Sequence, residues 1–139
     1  MPLACYKPGM RTFLAALALL IATSASAADW TPRAWAEQST LELRTTAPGE
    51  GEHWFPVWLA VVDDQLYVRL GARAAGRIQQ NQTAPLVGVR IAGQQFDRVR
   101  GEPAPDQAGR VAEAMAAKYW FDVLVRHVNH PLTLRLVPE

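Results

Sequence analysis

The run HWFPVWLAVVDDQLYVRL, residues 53 to 70, sets the strongest limit on how this chain folds. Residues 53 to 62 are almost continuously apolar and rich in β-branched and aromatic side chains, which predicts a strand. Asp63, Asp64 and Gln65 make a tight turn, and LYVRL, residues 66 to 70, returns as the partner strand of a hairpin. Pro56 has no N–H to give to a ladder, so it implies an edge or a bulge in the first strand.

Other segments alternate in the same way. TLELRT, residues 40 to 45, sets Leu41 and Leu43 against Glu42 and Arg44, the pattern of a half-buried strand, and APGEGE after it is a loop. PLVGVRI, residues 85 to 91, is a further strand, AGQ a turn, and QFDRVRG, residues 95 to 101, the strand that answers it. In that last run Phe96, Arg98 and Arg100 share one parity, and Asp97 and Val99 the other. PLTLRLVPE closes the chain as a strand, Leu132, Leu134 and Leu136 alternating with Thr133 and Arg135. Thr31 before Pro32 opens a short helix over PRAWAEQ with Trp35 turned inward. A second short helix follows Gly71. The clearest helix signal is Pro105 followed by Asp106 as N-cap, with Val111, Met115 and Tyr119 recurring every fourth residue beside Ala112 and Ala116. Five or six mostly antiparallel strands, a short crossover helix and a longer C-terminal helix predict a mainly β, α+β architecture, a small barrel with helices packed on it.

The first 27 residues read as an address. Lys7 and Arg11 precede the apolar run FLAALALLIA, and Ala25 to Ala27 supply the small residues that signal peptidase requires. Ten apolar residues fall well short of the roughly 20 that a spanning helix needs. Either Met1 or Met10 can start a complete leader of this kind. Cleavage after Ala27 leaves residues 28 to 139 as one exported domain, periplasmic in a Gram-negative host and free of the membrane. The only cysteine, Cys5, leaves with the leader, so the domain holds itself together by its core. Of 14 basic residues, Lys7 and Arg11 also leave; the remaining 12 face 13 acids, a balance of about −1 that makes nucleic acid an unsuitable partner.

Several chemistries find no support. Ser39, the one serine after the leader, stands just before a strand, a poor place for a nucleophile. His127 and His130 fit the decorated end of a helix better than a metal site, even with His53 as a third ligand, so no metal is expected. Asp63 and Asp64 are turn formers rather than an acid and base pair. Lys118 is expected to snorkel to solvent. No catalytic constellation emerges.

What stands out is LYVRLGARAAGRIQQNQ, residues 66 to 82. It carries Arg69, Arg73 and Arg77 four residues apart, and between Gln65 and Phe96 there are four arginines and no acid. With Arg69 at a strand end, Gly71 in the turn and Arg73 and Arg77 on the helix that follows, guanidinium groups and free helix N–H groups aim at one corner, an arrangement suited to an anion.

The order of hairpin, LYVR, short helix, LVGVRIAG, QFDRV, a helix ending in KYW and a closing LRLVP resembles the FMN-binding split-barrel proteins, the group of pyridoxamine 5′-phosphate oxidase-like and deazaflavin-dependent nitroreductase-like domains. The likeness spans roughly residues 41 to 137. It implies a split barrel that forms a homodimer and holds FMN or a related flavin at the subunit interface. On this resemblance Arg69 matches the strand-end phosphate position, Arg73 and Arg77 fall in the helix region, and Trp58 and Tyr67 are candidates for lining the groove. Ala72, Ala74 and Ala75 stand where family members often carry Ser or Thr followed by Lys or Arg. Two readings therefore remain open: an exported flavin-binding oxidoreductase-like barrel, or a cofactor-free periplasmic binding or structural protein that keeps the fold and uses the basic corner for another anion.

Overall fold

The computed structural model describes residues 29 to 119 and 131 to 139. Six strands, β1 (Thr40–Ala47), β2 (Gly51–Val62), β3 (Gln65–Leu70), β4 (Leu86–Ile91), β5 (Gln94–Pro103) and β6 (Leu132–Pro138), close into a barrel in the order β1-β2-β3-β6-β5-β4, with every described pairing antiparallel. Helix α1 (Ala72–Gln79) crosses from β3 to β4, and the longer α2 (Ala108–Lys118) follows β5. This is the α+β small barrel that the alternation predicts.

The predicted hairpin forms around a two-residue turn in which Asp63 and Asp64 have φ of 53° and 62°. Positive φ at both positions suits the right-handed twist of a hairpin, and Asp tolerates it better than most residues. Both carboxylates are engaged: Arg33 donates to Asp64 from Nε at 2.9 Å, and Arg110 pairs with Asp63 at 2.8 Å. Pro56 stands in the half of β2 that pairs, among the described strands, with β1 alone, because β3 meets β2 only from Leu59 to Val62. The proline thus marks an edge rather than a bulge.

The bulge lies elsewhere. Val87 pairs with Val99 but Val89 pairs with Phe96, so β5 carries one extra residue opposite Gly88. The strict alternation read in QFDRVRG fails for that reason: Phe96 and Val99 both turn toward the core.

Leu41, Leu43, Leu59, Leu66, Val68, Val89, Val99, Leu134 and Leu136 fill the barrel and are buried. Trp35 is buried at one end, where it meets Trp30 and Phe96 edge-on with ring centroids 5.1 and 5.6 Å away. The N-terminal segment is a single 3-10 turn, Pro32–Trp35, shorter than the predicted helix. Ala74, Ala75 and Ile78 of α1 pack on the same core near the ends of β1 and β3. Outside the barrel, α2 lays Val111 and Met115 over Ala60 and Tyr67 as a second apolar cluster, completed by Tyr119. Asp106 is not the N-cap of α2. It lies in a 3-10 turn, Pro105–Gln107, and Gln107 occupies the cap position without a side-chain bond. The chain turns there because Ala104, fully buried, donates its N–H to Thr133 O at 2.9 Å and accepts from Gln107 N at 3.0 Å.

Candidate functional site

The short overlap of β2 with β3 opens the surface beside Pro56. Where β2 runs on past its partner, the chain leaves β3 through Gly71 and enters α1, so the first turns of that helix face the free half of β2. A groove of about 600 Å³ results, with His53, Phe55 and Pro56 on the strand side and Arg73, Ala74 and Arg77 on the helix side. It adjoins a second hollow of about 380 Å³, which shares Pro56, Gly71 and Ala74 and adds Trp58 and Arg69. Combined, they fall in the size range of small-molecule sites.

All three arginines of the basic corner therefore line two adjoining hollows, Arg73 and Arg77 the larger and Arg69 the smaller. Arg69 projects from β3 opposite Thr133 of β6, and Arg73 is exposed one residue inside α1. Arg77 is half-buried and meets Glu50, from the β1–β2 turn, at 3.6 Å. The acid absent from the local sequence is thus supplied by a residue 27 positions away. Trp58 lies at the far end of the groove, stacked on Tyr119 with ring centroids 5.3 Å apart and planes at 20°. Tyr67 does not line it. That ring is 3% exposed beneath α2, with the Arg135 guanidinium 5.8 Å from its centroid, because its parity on β3 points it into the outer apolar cluster.

The strand wall is aromatic. His53 and Phe55 share a parity on β2, and their rings stack 6.0 Å apart at 23°. No hydrogen bond engages the His53 imidazole among the described residues. His127 and His130 lie outside the described residues, so the suggested three-histidine group has only His53 in view.

Two features of the neighbourhood escape sequence reasoning. Asn81, just past α1, is 8% exposed and ties that helix to the barrel. Its Oδ1 accepts from Thr46 N at 3.0 Å and its Nδ2 donates to Leu86 O at 2.8 Å. Lys118 does not snorkel to solvent. Its ammonium donates to Gln38 O at 2.5 Å and to Leu59 O at 3.2 Å, and burial pulls its pKa below the ordinary lysine range. Beside it, the Tyr119 hydroxyl reaches Ser39 O at 2.6 Å and Leu59 O at 2.8 Å, and burial raises its pKa. These bonds join the end of α2 to β2 and to the approach to β1.

A further cleft of about 440 Å³ on the outer face of β1 and β4 includes Glu42, Arg90 and Gln95 in its lining. Its polar groups already satisfy one another: Arg90 pairs with Glu42 at 3.4 Å, donates to Gln95 at 2.9 Å and stacks 3.8 Å above Trp54. The groove between β2 and α1 is the better candidate, since cationic and aromatic walls face each other across open space.

No family model matches the sequence, and no curated protein matches it. Solved structures do superpose on the chain. HutZ, the heme storage protein from Vibrio cholerae, superposes with a TM-score of 0.59 at 16% identity, covering 77% of this chain and 87% of HutZ. A FAD-binding protein from Mesorhizobium loti gives a TM-score of 0.46 at 20% identity over 75% of this chain and 82% of its own. The likeness to HutZ, over most of both chains at low identity, establishes a common fold: this chain is a split β-barrel.

Proposed function

We propose that the protein binds a planar, anion-bearing cofactor of the flavin or haem class in the groove between β2 and α1. One observation carries this reading: Arg73 and Arg77 form one wall of a groove whose other wall is the stacked pair His53 and Phe55, with Arg69 and Trp58 in its continuation. Guanidinium forks hold phosphate or carboxylate groups, and the aromatic wall accepts a flat ring. The resemblance to FMN-binding split barrels supports a flavin, and the heme storage described for HutZ supports a haem. The bound group supplies the redox chemistry; the chain's own residues bind, orient and shield it. Read with the leader, the protein works in the periplasm. A homodimer would cover the open side of the groove.

The cofactor-free reading draws on the Glu50–Arg77 pair, which already occupies one cation, and on Ala72, Ala74 and Ala75, which offer no hydroxyl to a phosphate. Absorption spectra of the purified protein, followed by titration with FMN and with haemin, decide between the two. The expected result is micromolar binding of at least one of them. An Arg73→Ala/Arg77→Ala variant should then bind at least roughly tenfold more weakly, since each charge-assisted contact contributes about 1.5–3 kcal/mol. A colourless protein that takes up neither compound overturns the proposal. Equal affinity in the double variant would show that the site lies elsewhere.

A further inference from the structure

We infer that this groove would take an iron porphyrin bearing two carboxylates, with His53 the residue that would hold its iron. The inference rests on the cofactor reading above and narrows it to one ligand class. A flavin mononucleotide presents one phosphate and asks for no metal ligand. This groove has two guanidinium groups, one helical turn apart on α1, and one imidazole on the opposite wall; Arg73 is exposed, and Arg77 meets the exposed Glu50 at 3.6 Å, a contact that a ligand carboxylate would have to replace. Arg73 and Arg77 would hold the two carboxylates, and His53 the metal.

The surroundings of His53 suit that role. The residue sits in the half of β2 that pairs with β1 alone among the described strands, opposite Thr45, so backbone pairing fixes its position. Phe55 stacks against the ring and restrains its plane. No hydrogen bond engages the imidazole nitrogens among the described residues, so no described group would have to be displaced for a ring nitrogen to meet iron. Pro56, Ala72 and Ala74 add apolar surface along the same groove, where a porphyrin face can lie without displacing a buried polar group. The imidazole of His53 would hold the iron by its nitrogen lone pair, and no group on the chain would change oxidation state.

The test compares three ligands on the purified full chain: haemin, iron-free protoporphyrin IX and FMN. With haemin, the wild type should give an absorption band characteristic of imidazole-ligated iron. His53→Ala should weaken haemin binding at least about tenfold and shift that band, while leaving protoporphyrin IX affinity within about twofold, because a lost metal ligand costs nothing to a metal-free ring. Added free imidazole should restore the band in His53→Ala. The chain has two other histidines, so a His127→Ala/His130→Ala variant is the internal comparison and should keep the wild-type spectrum. An unchanged haemin spectrum in His53→Ala, or its loss only in the His127/His130 variant, overturns the assignment. If FMN binds through the arginines and haemin does not bind at all, this inference falls and the cofactor groove stands. If no ligand depends on Arg73 and Arg77, both fall.

Discussion

Tyr119 shows how much one side chain can connect. Its hydroxyl accepts from Leu59 N and has its one proton within reach of both Ser39 O and Leu59 O, joining α2 to two separate parts of the barrel, while its ring supports Trp58 at the end of the groove. Tyr119→Phe should keep the stacking and lose the bonds, lowering stability by about 1–2 kcal/mol in urea titration at neutral pH. The sign of the pH effect follows from the raised pKa. Folding favours the neutral phenol, so this stabilisation is fully present below the ordinary tyrosine value of 10.0 and is lost as pH rises through the higher folded value. Wild type should therefore lose part of its advantage over Tyr119→Phe above about pH 10. Lys118, whose pKa burial lowers, pulls the other way as its ammonium discharges, but both proteins keep it, and their difference isolates the phenol. Spacing alone identifies Val111, Met115 and Tyr119 as a buried stripe. The bonds of Lys118 are invisible to such reasoning, because they reach carbonyls 80 and 59 residues away.

Among elements, α1 matters most, since it carries two of the groove's cations on eight residues with one buried side chain, Ala75. A helix so short does not hold itself together in water. Asn81 supplies what packing does not, binding the end of α1 to β1 and to the start of β4. Asn81→Ala leaves the Thr46 N–H and Leu86 carbonyl without that partner and should cost about 1–3 kcal/mol. Amide exchange should accelerate in α1 first and in α2 little, a local signature that distinguishes clamp from core. The bulge in β5 makes a similar case. Gly88 lies under the Arg44 guanidinium, and a Cβ there would stand 2.8 Å from its Cζ, while Arg44 in turn donates to Asp97 O at 2.8 Å. Gly88→Ala should displace Arg44 and lower stability by about 0.5–1 kcal/mol, a magnitude set by a surface contact rather than by the ladder. Strands and helices are legible in this sequence because burial imposes a period on them. The bulge and the 3-10 entry to α2 are not, because each answers a partner on a distant strand: Gly88 with Arg44 in one case, Thr133 in the other.

Over the whole molecule, the barrel is closed by pairing and filled by side chains, with Trp35 at one end and α1 at the other. Trp35→Ala should remove about 3–5 kcal/mol, measured by loss of cooperativity in thermal unfolding, and change the fluorescence of Trp30, which it touches edge-on. The barrel order is legible once six alternating runs are recognised, since antiparallel neighbours joined by short turns leave few ways to close. The groove is legible only in its arginines. Its aromatic wall comes from the unequal lengths of β2 and β3, which no local pattern reveals. Because the interior of the described barrel is packed, a ligand in the proposed groove would sit on its outside, between a strand edge and a short helix. A ligand placed there can arrive and leave while the barrel stays shut, so exchange rates should track side-chain motions at the rim rather than the slow opening of the fold. Substitutions in the groove should then alter ligand binding with little effect on the stability of the core.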